Sequence, residues 1–100
     1  MAARIKAPKV TTEEVGKWGM MRYNYLKDWR KGLYREFVKD GYLIEHLQTV
    51  NRGATEMMDT MMRQWLDKNP GVPEGEINMQ RLCFEEVVRN SYIYPEASRD

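Results

Sequence analysis

The sequence predicts an all-α fold: an antiparallel hairpin of two long helices plus a short third helix, packed as a small helical bundle. Three observations carry this. Between Tyr42 and Asn69 the apolar residues Leu43, Leu47, Val50, Ala54, Met57, Met61 and Trp65 recur at intervals of 4, 3, 4, 3, 4 and 4, which is the stripe of one amphipathic helix. Upstream, Trp18, Met21, Tyr25, Trp29, Leu33 and Phe37 repeat every three or four residues and make a second stripe to face the first. Between them lies only Lys39-Asp40-Gly41, a glycine stop after a basic last turn, and so short a turn forces the helices to run antiparallel.

Each element has its own signals. Residues 1–10 have no periodicity and contain Pro8, so they read as a flexible basic arm. Thr11 and Glu14 stand at capping-box spacing, with Val10 and Val15 placed for a hydrophobic staple, and the first helix runs from there to Lys39. Gly16 and Gly19 each weaken a helix interior, so a kink or restart belongs near Trp18. The second helix ends at Asn69, because Pro70 and the Gly71-Val72-Pro73-Glu74-Gly75 run are turn chemistry. At 1.5 Å per residue it is a rod of roughly 40 Å, longer than the roughly 33 Å diameter of a compact domain of this size, so part of its stripe needs cover. A third helix spans about residues 76–90. Tyr92, Ile93 and Tyr94 follow as an extended apolar tail that lies back on the hairpin, and residues 95–100 are a disordered end. Residues 11–94 thus form a single helical domain, with Trp29, Leu33, Leu47, Val50, Met57 and Met61 in its core.

Composition narrows the function classes. One cysteine, Cys83, excludes an internal disulfide framework and a multi-cysteine metal site and points to a reducing cytoplasm. Its neighbours Leu82 and Phe84 suggest a buried, inert thiol. No segment approaches the 18 to 20 apolar residues of a membrane span, and no signal peptide is visible. His46 is the only histidine. It has no second ligand at metal spacing and no serine in an elbow context, and it reads as a helix-surface residue near Glu45. The expectation is a non-enzyme without metal or cofactor.

Charge is placed unevenly. Net charge is +1 for the whole chain, yet residues 15–42 hold seven cations against three carboxylates and residues 70–100 hold three against six. On the first helix Lys27, Lys31 and Arg35 stand four apart, with Arg30, Tyr23 and Tyr34 on neighbouring rows. Cations there can neutralise phosphates and tyrosines can stack on unpaired bases, although Asp28 and Glu36 also make an ordinary solvated face. Neither a glycine-rich phosphate loop nor a helix-turn-helix is present. Eight methionines are many for 100 residues. Met57, Met58, Met61 and Met62 read first as core and second as an adaptable groove, with Met58, Met62 and Trp65 lying partly beyond the stripe as a partner surface.

The run Gly16-Lys17-Trp18-Gly19-Met20-Met21-Arg22-Tyr23-Asn24-Tyr25-Leu26-Lys27-Asp28 resembles the transposon-encoded TnpV family of bacterial mobile elements, which carries a similar WG, then R, then YLK pattern. Leu33-Tyr34, Asp40-Gly41-Tyr42-Leu43, Leu47, Ala54-Thr55-Glu56-Met57, Gly71-Val72-Pro73-Glu74 and Tyr92-Ile93-Tyr94 continue the resemblance over about residues 16–94. The departure is a last helix shortened by about three turns. The resemblance implies a mobile-element or phage setting and supplies no catalytic residue.

Two functional readings follow. In the first, a mobile-element accessory protein binds DNA or RNA through the basic helix face. In the second, a protein-binding module inhibits or regulates a host nuclease, a defence complex or the element's recombinase. The part of the long helix left uncovered also suggests a twofold homodimer.

Overall fold

The computed structural model describes residues 9–95. Helices α1 (Thr12–Trp29), α2 (Lys31–Lys39), α3 (Leu43–Lys68) and α4 (Glu74–Val88) follow one another, and a π-helical turn, Arg89–Ile93, continues α4. Among the described residues there is no strand, as the apolar periodicity requires. The basic arm and the terminal tail inferred from the sequence lie almost wholly outside the described residues. The chain divides into two compact units, Met1–Asn51 and Arg52–Asp100, with α3 contributing to both.

In the first unit, Thr11 caps α1: its backbone is extended and its Oγ1 accepts the Glu14 N–H at 3.3 Å, while Glu13 and Glu14 face the positive end of the helix dipole. Helical geometry then fails at Gly16, at φ 80° and ψ 172°, a left-handed conformation that favours glycine. The helix restarts at once, and the first amides of a restarted helix have no acceptor within it. Asn51 of α3 supplies one, its Oδ1 accepting the Trp18 N–H at 3.1 Å. The Asn51 amide fills the space a Cβ at residue 16 would take, so the kink and its cap occupy one another's vacant volume.

Gly19 then brings α1 onto the backbone of α3. A Cβ there would stand 2.8 Å from the Leu47 carbonyl oxygen and 2.9 Å from Val15 Cβ. Gln48 Nε2 also donates to the Glu14 carbonyl at 3.2 Å. Gly16 meets Asn51, Gly19 meets Leu47 and Arg22 meets His46, so partners on α3 recede as α1 advances and the two helices run antiparallel. Val15, Leu26, Leu43 and Leu47 make the core between them, and Leu33, Tyr34, Phe37 and Val38 of α2 pack against it.

The first long helix expected over residues 11–39 is two helices. The break is Arg30, at φ −133° and ψ 57°, and α2 turns there so that its apolar face covers the end of the core. Register explains the consequence for Trp29. The numbers of the pairs Trp18–Asn51 and Arg22–His46 add to 69 and 68, so Trp29 would face residue 39 or 40, where α3 has not begun. Placed in the core by its spacing, Trp29 is instead 76% exposed. Leu47 and Val50 are buried as expected, and Leu33, Met57 and Met61 are half-buried. Gly41, at φ 69°, makes the turn into α3.

In the second unit, Gly53 of α3 lies under the ring of Tyr92, which a Cβ would approach to 2.6 Å. The chain leaves α3 as Asn69 Nδ2 donates to the Trp65 carbonyl at 2.8 Å. Helix α4 starts after an extended Pro73 with Glu74 and Glu76 in its first turn. Tyr92 and Ile93, expected to be extended, are helical, and Tyr94 closes the turn as its C-cap, its N–H donating to the Arg89 carbonyl at 2.9 Å. Residues five apart point about 140° away from each other in an α-helix, and an i to i+5 turn draws them onto one side. Val88 and Ile93 are accordingly both fully buried. Cys83, expected to be buried, is exposed on α4.

Three substitutions test this packing by chemical denaturation. Leu47→Ala removes a side chain with 0% exposure and is expected to cost about 2 to 5 kcal/mol. Gly19→Ala is expected to destabilise by about 1 to 3 kcal/mol despite the higher helix propensity of alanine, because backbone must move. Gly32→Ala on α2, where a Cβ meets nothing within 4 Å, should stabilise by up to about 1 kcal/mol. Equal signs for the two glycine variants would refute the close crossing at Gly19.

Candidate nucleic-acid interface

Helix α2 turns Leu33, Tyr34, Phe37 and Val38 to the core, and helical periodicity then puts Lys31, Arg35 and Lys39 together outside that face, within an arc of about 80° centred about 130° from it. All three are exposed, and Gly32 between them projects nothing. Lys27 is exposed near the end of α1, and Arg30 is half-buried at the corner. From residue 27 to 39 there are five cations against Asp28 and Glu36, a net +3.

The tyrosines lie beneath these cations. Tyr23 and Tyr34 are half-buried, pack on the core, and meet with ring centroids 6.1 Å apart and planes inclined by 59°. Burial raises the Tyr34 pKa above its ordinary 10.0, and the adjacent Tyr23, which also hydrogen-bonds to it, pushes the same way against the opposing effect of Lys27. Lys27 Nζ sits over the Tyr23 ring, 4.6 Å from its centroid. The pair is a clasp between α1 and α2 that fixes where the cations stand.

A chain of contacts reaches the corner from inside. His46 stacks on Phe37 with centroids 4.2 Å apart and planes at 18°, so it is not the helix-surface residue its neighbours suggested. Its Nε2 accepts from Arg22 Nε at 3.1 Å. Since a guanidinium only donates, this nitrogen carries no proton, and the imidazole is neutral in that contact. Arg22, 3% exposed, lies with its guanidinium carbon 5.7 Å from the centroid of the Tyr25 ring, and the Tyr25 hydroxyl accepts from Arg30 Nε at 3.1 Å. Arg30 is thereby tied through α1 to α3 and α2. Sequence spacing could not reveal this, because it joins residues from three helices.

Met58, Met62 and Trp65, the other surface suggested by the sequence, are half-buried residues of α3 in the second unit. Met79, Leu82 and Val87 of α4, which spacing alone assigned to the third helix, are more open, Met79 at 66% and Leu82 at 60%. No three His, Cys, Asp or Glu side chains converge among the described residues, and no described helix is long and apolar enough to cross a membrane.

A family model described as transposon-encoded protein TnpV matches residues 3–93. Neither the curated proteins nor the solved structures yielded a match.

Two measurements test the support beneath the basic face. His46→Ala takes away the acceptor of Arg22 Nε and the stack on Phe37, and is expected to destabilise by about 1 to 3 kcal/mol, whereas His46→Gln, which keeps an acceptor, should lose less. Tyr34 has its pKa raised in the folded chain, so its contribution to stability is complete below the ordinary 10.0 and is lost as pH rises through the folded value. Ultraviolet difference titration should show one tyrosine ionising late, and Tyr34→Phe should abolish that late step.

Proposed function

The chain belongs to the TnpV family of transposon-encoded proteins, and from that premise we propose that it is a non-enzymatic accessory protein of a bacterial mobile element that binds nucleic acid through the basic face of α2 and the α1–α2 corner. The observation that carries this reading is the exposed row Lys31, Arg35 and Lys39, joined at the corner by Lys27 and Arg30. Cations four residues apart on a helix stand about 6 Å apart along its axis, close enough to engage a run of phosphates together. Each phosphate contact releases condensed counterions, and that release supplies most of the affinity in sequence-independent binding. Tyr23 and Tyr34 act here as positioning residues, since they hold α1 and α2 together below the cations.

A second reading, as a protein-binding module that inhibits or regulates a nuclease, a defence complex or a recombinase, is favoured by the exposed apolar residues of α4. On that reading Met58, Met62 and Trp65 would extend the contact, in a complex with another protein or in a homodimer.

Salt separates the two. If the basic face engages four or five phosphates, log affinity should fall against log salt with a slope of about −3 to −4.5. Lys31→Ala and Arg35→Ala should each weaken binding to any sequence alike and flatten that slope by about 1. Absence of binding to DNA and RNA at low salt would remove the first reading.

A further inference from the structure

Trp29 ends α1 and shows 76% of its surface to solvent. Tryptophan is highly buried on average, and where it is open it is enriched at interfaces. Lys27 precedes it by two residues and Arg30 and Lys31 follow it directly. The backbone is held on both sides, because the Arg30 N–H donates to the Leu26 carbonyl at 3.0 Å and the Tyr34 N–H to the Arg30 carbonyl at 2.9 Å. The indole is therefore presented from an ordered corner, and a ligand need not order that backbone again.

We propose that Trp29 is a stacking platform for an unpaired base, which makes single-stranded nucleic acid the ligand of this face. The proposal rests on the nucleic-acid reading above and specifies its ligand. Bases in a duplex already stack on each other, whereas every base of a single strand offers a free π-face that an aromatic side chain between cations can take, whatever the sequence. The other aromatic groups nearby are engaged: Tyr23 and Tyr34 meet each other, and Tyr25 lies beneath Arg22 and receives the Arg30 hydrogen bond. The exposed face of α2 carries no asparagine or glutamine to read base edges in a groove. A lipid surface fits less well, since membrane-surface helices bury an apolar face in the bilayer and the apolar face of α2 is already packed on the core.

The full-length chain should be titrated with an oligothymidylate, with a duplex of equal length and with phosphatidylserine vesicles. The expected result is at least tenfold tighter binding of the single strand than of the duplex, with quenching of tryptophan emission. Trp29→Ala should weaken single-strand binding about tenfold, leave duplex binding and the salt slope unchanged, and abolish most of the quenching. Trp29→Phe should restore much of the affinity. Trp29→Gln serves as a second variant, and matched melting temperatures establish that each is folded. Unchanged single-strand affinity in folded Trp29→Ala, equal affinity for duplex, or preference for vesicles would overturn the proposal while Lys31→Ala and Arg35→Ala still report on the basic face. Absence of binding to both nucleic acids would overturn the proposal together with the reading beneath it.

Discussion

The close crossing of α1 over α3 sets the terms for the first unit. A hydrogen is all that fits at residue 19 against the Leu47 carbonyl, and the approach is directed by the kink three residues earlier. Gly16 breaks the helix in a left-handed conformation, the restart leaves an amide in need of an acceptor, and Asn51 meets that need from the volume Gly16 leaves open. Each of the three residues makes sense only with the other two. A β-carbon at 16 would displace the cap, one at 19 would separate the backbones, and without the Asn51 acceptor the kink would cost more. The same crossing brings Arg22 beside His46, where a buried cation finds a neutral acceptor and an aromatic face instead of water.

The register of that crossing also determines what lies at the other end of α1. A straight hairpin turning about Gly41 would pair residues whose numbers add to about 82 by symmetry; the pairs Trp18–Asn51 and Arg22–His46 add to 69 and 68. The difference is the length of chain taken out of the hairpin when α2 folds over the end of the core. Trp29 is left at the corner, and the outer side of α2 becomes a short row of cations. Phe37, His46, Arg22 and Tyr25 link that corner to the interior, so His46, which its chain neighbours suggested was a surface residue, is part of its support.

Much of the helical content was legible in the sequence, for local reasons. The Thr11 cap, the glycine turn at residue 41, the stop near Pro70 and the long stripe through Leu47 and Val50 depend on neighbours in the chain, and each appears where those neighbours place it. What escaped depends on distant partners. Periodicity assigned Trp29 to a buried stripe, and nothing local in the sequence states that the opposing helix begins too late to cover it. His46 looked like a surface residue beside Glu45 because Phe37 and Arg22 reach it from two other helices. Cys83 looked buried between Leu82 and Phe84, yet consecutive helical residues point about 100° apart, and Leu82 is itself exposed. The π-turn after Val88 defeated an α-periodic reading because it changes the period.

Electrostatics at the corner is unusual in a way that bears on the proposed ligand. Acidic residues stand in the first turns of α1, α3 and α4, where they complement the positive end of the helix dipole. Helix α2 has no acid in its first turn and no side-chain cap, and it begins with Arg30 and Lys31. Like charges gathered at that end work against the helix by some tenths of a kcal/mol for each. Stability alone would favour an aspartate or serine there. A phosphate at the corner would reverse the sign of this local term, turning repulsion between cations and dipole into shared attraction for one anion. The arrangement is thus weakest for the isolated chain at the place where the proposed nucleic-acid backbone would strengthen it.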